Sequence, residues 1–268
     1  MLRRIFLFLH LLTLTIGTAI AAPATAETVE QPDLDRYFKA AGTRGTIVVQ
    51  NTRTGTLIVS DAARAAAPLL PASTFKIPLA LIALETGVVK DAHKDVFPWN
   101  GQEWIVPACN ADQTLASALA RSCVPVFAEI GRRVGDERLN KSLSALDYGN
   151  HDASGNYPYW LNGNLRISAL EQIAFLDKLR RGDLPASPEN MATVRNILTI
   201  ESRDGYVIHA KTGWAISPDP DLGWIVGWVD RGEQSWLFAL NLDITAKEHP
   251  AARLAIAKAV LKEVGALP

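Results

Sequence analysis

Metal ligands are scarce in this chain and poorly spaced. The five histidines, His10, His93, His151, His209 and His249, contain no His-x-His or His-x-x-x-His pair, the spacings that set two imidazoles on one face of a strand or helix for zinc. Asp219-Pro220-Asp221 offers too few oxygens for calcium and reads as a turn. These absences argue against a metallo-hydrolase. Excess charge of either sign is also missing: 27 Lys and Arg against 28 Asp and Glu leave a net −1, without long runs, so the chain lacks the electrostatic footprint of a nucleic-acid or anionic-membrane binder. A small molecule is the expected partner. Internal repeats, low-complexity linkers and abrupt shifts of composition are absent as well.

Long apolar runs are missing except at the start. Arg3 and Arg4 precede an apolar stretch from Ile5 to Ile20 that His10, Thr13, Thr15, Gly17 and Thr18 interrupt, and small residues follow, ending in Ala24-Thr25-Ala26. This pattern reads as a secretory signal over residues 1–26, cleaved after Ala26 or nearer Ala21, with a permanent anchor as the lesser reading. Residues 27–268 are then expected to be exported and soluble, with no membrane contact after cleavage. A composition 48% hydrophobic and 21% charged suits one large domain or two intimately packed subdomains.

Cysteine is limited to Cys109 and Cys123. In an oxidising compartment the pair raises the question of a disulfide. The segment between them, Asp112 to Arg121, reads as helix and would separate its ends by about 13 Å at 1.5 Å per residue, against the ~7 Å between Cα atoms that a disulfide tolerates. The reading therefore favours two buried thiols; a disulfide would require the loop at Cys109 to fold back.

Two β-branched runs, Thr46–Gln50 and Thr56–Ser60, flank Asn51-Thr52-Arg53-Thr54-Gly55 and read as a hairpin, and Tyr206–Ala210, Gly223–Val229 and Ser235–Leu242 read as three more strands. Between them lie helical patterns over Ser73–Thr86, Asp112–Ile130, Asp136–Leu146, Ser168–Arg181 and Pro188–Ile200, with a last helix over Pro250–Val264. Strands at both ends and helices between imply an α+β fold, an antiparallel sheet built from both chain ends, flanked by the terminal helices and carrying an inserted helical subdomain. A site at the subdomain seam is expected.

The most informative feature is Ser73-Thr74-Phe75-Lys76, which sets a hydroxyl and an amine one helical turn apart, so that Lys76 can take the Ser73 proton. A Ser-x-x-Lys alone arises by chance about once in a chain of this length. Its weight comes from Ser122-Cys123-Val124, Tyr148-Gly149-Asn150 and Lys211-Thr212-Gly213, which follow in that order. The set resembles the penicillin-binding protein and serine β-lactamase superfamily, whose signature pairs Ser-x-x-Lys with a later Lys-Thr-Gly. Val124 closes the middle triplet where transpeptidases usually carry Asn, and Trp160-Leu161, Leu165-Arg166-Ile167-Ser168, Trp214 and Gly223–Trp228 extend the resemblance to the class D, oxacillinase-type β-lactamases.

The resemblance implies a periplasmic hydrolase that opens the amide of β-lactams, penicillins at least, through a serine acyl-enzyme and so confers resistance. Ser73 is then the nucleophile and Lys76 the base for both acylation and deacylation, carboxylated on its amine by CO₂ or bicarbonate as N6-carboxylysine, with no metal and no other cofactor. Ser122 would pass a proton to the departing nitrogen, and Trp160 would donate its indole N–H to the carbamate. Lys211, Thr212 and Arg253 would hold the substrate carboxylate, although Arg253 could instead be a solvated helix-face arginine. Val124, Leu161, Gly213 and Trp214 would line the substrate, and the backbone N–H groups of Ser73 and Trp214 would form an oxyanion hole. Tyr148-Gly149-Asn150 is expected to shape the pocket wall, Glu85 and Glu129 to be solvated, and a Cys123 thiol to be oxidisable beside the site. The chain would act as a monomer or homodimer, and a β-lactam sensor or penicillin-binding protein that acylates without turnover is the alternative.

Overall fold

The computed structural model describes residues 27–216 and 219–268. The expected signal and its cleavage site lie outside them. Among the described residues no helix is long and apolar enough to cross a membrane.

The strands are β1 (Thr28–Glu30), β2 (Gly45–Asn51), β3 (Leu57–Val59), β4 (Gly155–Asn156), β5 (Thr199–Arg203), β6 (Tyr206–Ala215), β7 (Asp221–Arg231) and β8 (Gln234–Ile244). Seven of them form one sheet in the order β1-β3-β2-β8-β7-β6-β5. Every pairing is antiparallel except β1 with β3. The two chain ends meet at the β2–β8 ladder, where Val48 faces Ala239.

The helices are α1 (Asp35–Ala40), α2 (Ala62–Ala66), α3 (Lys76–Glu85), α4 (Leu115–Arg121), α5 (Val124–Val134), α6 (Asp136–Leu146), α7 (Tyr159–Asn162), α8 (Ala169–Arg181), α9 (Pro188–Ile197) and α10 (His249–Glu263). Both faces of the sheet are covered, which is why β8 is apolar almost throughout. Phe238, Leu240 and Leu242 enter one core with Phe38 of α1 and Ile256 and Val260 of α10. The alternate residues Leu237 and Ala239 enter a second, larger core with Phe75, Phe127, Trp160 and Phe175 from the helical layer. Trp224, Trp228 and Trp236 are buried packing residues, as their strand positions suggest.

Three expectations need correction. The helix read over Asp112–Ile130 is two helices, because Ser122 ends α4 in the left-handed region at φ 60° and Pro125 starts a new helix within its first turn. α4 starts only at Leu115, and the non-helical segment before it runs back along the helix, so Cys109 and Cys123 form a disulfide with their Cα atoms 5.5 Å apart; the free-thiol reading and the oxidisable Cys123 are both wrong. Finally, the helix read to Ile200 stops at Ile197, and its tail becomes edge strand β5. Glu85 is exposed, as expected, and also accepts from the Ser187 N–H at 2.9 Å and from Asn190 Nδ2 at 2.7 Å at the start of α9.

Candidate active site

Ser73 sits on a 3₁₀ turn, Ala72–Phe75, that runs straight into α3. Ala72 enters it at φ 49°, a left-handed conformation that a non-glycine residue keeps only where its surroundings enforce it. Thr74 Oγ1 donates to the Pro71 carbonyl at 2.6 Å and accepts from Gln172 Nε2 of α8 at 2.8 Å. Beneath the turn, Phe75 stacks on Trp160 with ring centroids 5.2 Å apart and leans on Tyr148 at 5.9 Å. Ser73 therefore stands on a packed aromatic base.

The i, i+3 spacing delivers what it promises: Lys76 Nζ lies 2.6 Å from Ser73 Oγ, and 3.5 Å from Ser122 Oγ. Lys76 is completely buried. Burial first, and then the positive charge of Lys211, holds its pKa well below the ordinary lysine value of 10.5. It therefore favours the neutral amine, a proton acceptor.

Ser122 occupies the left-handed hinge between α4 and α5, where its Oγ accepts from Lys211 Nζ at 2.9 Å. Lys211 also donates to the Thr212 carbonyl at 2.9 Å. Burial, then Arg253, pushes the Lys211 pKa down to about 7. Arg253 is 9% exposed and is not a solvated helix-face arginine; it donates through Nη1 to the Gly213 carbonyl and through Nε to Pro250 O at 2.7 Å. Burial lowers its pKa only to about 10, so it remains a cation at neutral pH.

Gly213 lets β6 run against the nucleophile turn, since a Cβ there would come within 3.2 Å of both Ala72 Cβ and the Pro71 carbonyl. The Ala210 N–H donates to Leu198 O on the β5 side. Strand alternation aims the N–H groups of Thr212 and Trp214 toward that same edge, where β5 no longer pairs. An N–H of a free sheet edge is thus available beside Ser73.

These elements enclose a cavity of about 400 Å³ lined by Ser73, Ser122, Val124, Thr212, Gly213, Trp214 and Arg253 from among the expected residues. Lys76, Lys211, Trp160 and Leu161 do not line it. Lys76 and Lys211 stand behind the two serines, while Trp160 and Leu161 pack in the helical core. Trp104, Ile105, Val106, Cys109, Pro125 and Ile216 complete the wall; sequence reasoning missed Ile105 and Val106, whose signal was two apolar residues inside a loop.

The buried indole N–H of Trp160 has no hydrogen-bond partner. An unpaired buried donor is costly and calls for an acceptor. Tyr148-Gly149-Asn150 works behind the pocket instead of lining it: Tyr148 supports Phe75, while the Asn150 side chain accepts from the Arg166 N–H at 2.9 Å and donates to Asn164 O at 2.9 Å. Among the described residues no group of three or more His, Cys, Asp or Glu side chains is placed to hold a metal ion.

A serine whose neighbouring lysine is buried, a second serine shared between two lysines, and a strand edge closing over them define a serine acyl-transferring fold. Residues 45–264 match the penicillin binding protein transpeptidase domain, and the chain belongs to the class D β-lactamases within that family. It is 40% identical to the β-lactamase OXA-48 of Klebsiella pneumoniae over 94% of this chain and 96% of that one. Identity to OXA-10 of Pseudomonas aeruginosa is 38%, covering 93% of each. Among solved structures, the class D β-lactamase FUS-1 (OXA-85) of Fusobacterium nucleatum subsp. polymorphum superposes with a TM-score of 0.86 at 32% identity, covering 90% of this chain and all 100% of its own.

Proposed function

We propose that this protein hydrolyses β-lactams in the periplasm, penicillins at least, through an acyl-enzyme on Ser73. The observation that carries the reading is the 2.6 Å approach of a buried lysine amine to the Ser73 hydroxyl. Lys76 removes the hydroxyl proton as Ser73 Oγ bonds to the lactam carbonyl carbon. The developing oxyanion is met by the N–H groups of Ser73 and Trp214. The C–N bond then breaks, and the departing nitrogen takes its proton from Ser122, whose hydroxyl is replenished across its contacts with Lys76 and Lys211. Arg253 and Thr212, which line the cavity, hold the substrate carboxylate, with Lys211 adding its positive charge from behind Ser122.

The residues around Lys76 also suit its carboxylation. Its amine favours the neutral form that reacts with CO₂, Lys211 supplies a nearby positive charge, and the unpartnered Trp160 indole offers a donor. Carboxylation adds the amine lone pair to CO₂ with release of one proton and would supply an anionic oxygen base, able to take the Ser73 proton in acylation and then a proton from the water that attacks the acyl carbonyl and frees Ser73. Trp160 and Ser122 are the residues that would hold it.

The test follows the purified protein with a chromogenic β-lactam, with and without bicarbonate, recording burst and steady state. Sustained turnover that falls on removal of CO₂ and returns with bicarbonate is expected. A single stoichiometric burst indifferent to bicarbonate would instead identify an acylating sensor or penicillin-binding protein. Trp160→Ala is expected to lower turnover about tenfold or more, the scale of a lost hydrogen bond to a charged group, and added bicarbonate to restore part of it. Normal turnover of this variant without bicarbonate would remove the indole from the mechanism.

A further inference from the structure

Ser122-Cys123-Val124 is a hinge between two helices, and two of its three residues do work that nothing in the motif assigns to the third. Cys123 is fully buried and bonded to Cys109, the last residue of the 3₁₀ turn Pro107–Cys109. That turn ends the loop carrying Ile105, 94% exposed, and Val106, 43% exposed, at the mouth of the Ser73 cavity. The loop's other anchors are mostly internal or local: Asn110 Oδ1 accepts from the Trp104 N–H at 2.8 Å, the Cys109 N–H donates to Val106 O at 2.9 Å, and Gln113 Nε2 donates to Ala108 O at 3.0 Å. The covalent tie into the helical layer is the disulfide.

On the other side of the bond, Ser122 holds φ 60° without being glycine. Such a conformation persists only when the surroundings over-determine it. Two backbone hydrogen bonds help: Ser122 N–H to Leu119 O at 3.1 Å and Cys123 N–H to Ala118 O at 2.8 Å. Its Oγ must nevertheless stay within reach of both Lys76 and Lys211, at 3.5 and 2.9 Å, and proton transfer is sensitive to misplacement of about 1 Å.

We propose that the Cys109–Cys123 disulfide positions the reaction: it fixes the Ser122 hydroxyl between the two lysines and locks the Ile105–Val106 rim to the same hinge. Cys109 and Cys123 are positioning residues, acting through Ser122 and the rim. The inference rests on the hydrolase reading. It means that oxidation state sets both the acylation rate and the discrimination among substrate side chains.

The experiment compares the oxidised protein, the same chain prepared as the dithiol, and Cys109→Ala. Glutathione disulfide then reoxidises the dithiol, forming the Cys109–Cys123 bond and releasing two molecules of reduced glutathione. Burst-phase acylation, KM for one β-lactam with a bulky and one with a small side chain, and thermal midpoint are read at 25 °C, with folding checked by circular dichroism. Acylation about tenfold slower in the thiol forms, a narrower KM ratio between the two substrates, and recovery on reoxidation are expected. A thiol form with a lower midpoint but an unchanged acylation rate and KM ratio would reduce the disulfide to a staple and overturn the proposal. If Cys109→Ala fails to fold, the dithiol and its reoxidised partner decide alone. Should no form acylate, the hydrolase reading falls and takes this inference with it, an outcome distinct from equal rates.

Discussion

At the scale of single residues the site separates two lysines and an arginine by how far burial moves them. Lys76 is held well below 10.5, Lys211 at about 7 and Arg253 at about 10. Lys211 is a cation only below about pH 7 in the free protein, so kcat/KM for a carboxylate-bearing substrate should fall as pH rises through that value. Arg253 keeps its charge well above it, which makes the fall partial. Because Arg253 is what electrostatically depresses Lys211 beyond burial, Arg253→Ala should move the inflection to higher pH and make the fall nearly complete. KM should rise about tenfold or more, as for loss of a charge-assisted hydrogen bond. A pH–rate profile of both proteins checks this, and an unmoved inflection would contradict it. For stability the sign is opposite. A lysine with a depressed folded pKa binds fewer protons than the unfolded chain between its two values, so its contribution to stability rises from about pH 7 toward 10.5.

At the scale of elements, the helices whose ends carry their own chemistry were the legible ones. Ser168 caps α8, accepting from the Glu171 N–H at 3.1 Å while the Glu171 carboxylate accepts from the Ser168 N–H at 2.7 Å. Ser168→Ala should cost about 1 kcal/mol, measured by denaturant unfolding. Acylation should change little, because Gln172 still reaches Thr74 from the next turn. Strands β6, β7 and β8 were legible from their apolar runs and the turn signals between them. Elements bounded by tertiary context were not. Nothing local marks Ser122 as left-handed, and nothing local shows that the segment from Cys109 to Thr114 runs back along α4, which is why the two cysteines looked too far apart for a bond. β5 follows α9 with only Leu198 between them, and its Thr-Ile-Glu-Ser-Arg sequence becomes strand only because β6 is there to pair with it. The residues that gather around Ser73 could be picked out because they fall in short motifs. The Ile105–Val106 wall escaped because a loop's shape is set by what it packs against.

At the scale of the whole molecule, one sheet serves two cores, and damage to either reaches the other through β8. Phe238 is completely buried on the α10 side. Phe238→Ala should cost about 3–5 kcal/mol, a large share of the ~5–15 kcal/mol that holds a domain together. At about 2–4 °C per kcal/mol a calorimetric midpoint should drop by several degrees or more, and an unchanged midpoint would mean that this core relaxes freely. The topology also bears on how the molecule comes into being. β2 can pair with β8 only when both of these segments, far apart in sequence, are available, and Arg253, on α10, follows β8 in the chain. Joining such distant segments carries a loop-closure cost and slows folding. A chain cut before β8 would hold Ser73 and Lys76 without the strand that joins β2 to β7 and without Arg253, and is expected to leave a β-lactam unopened.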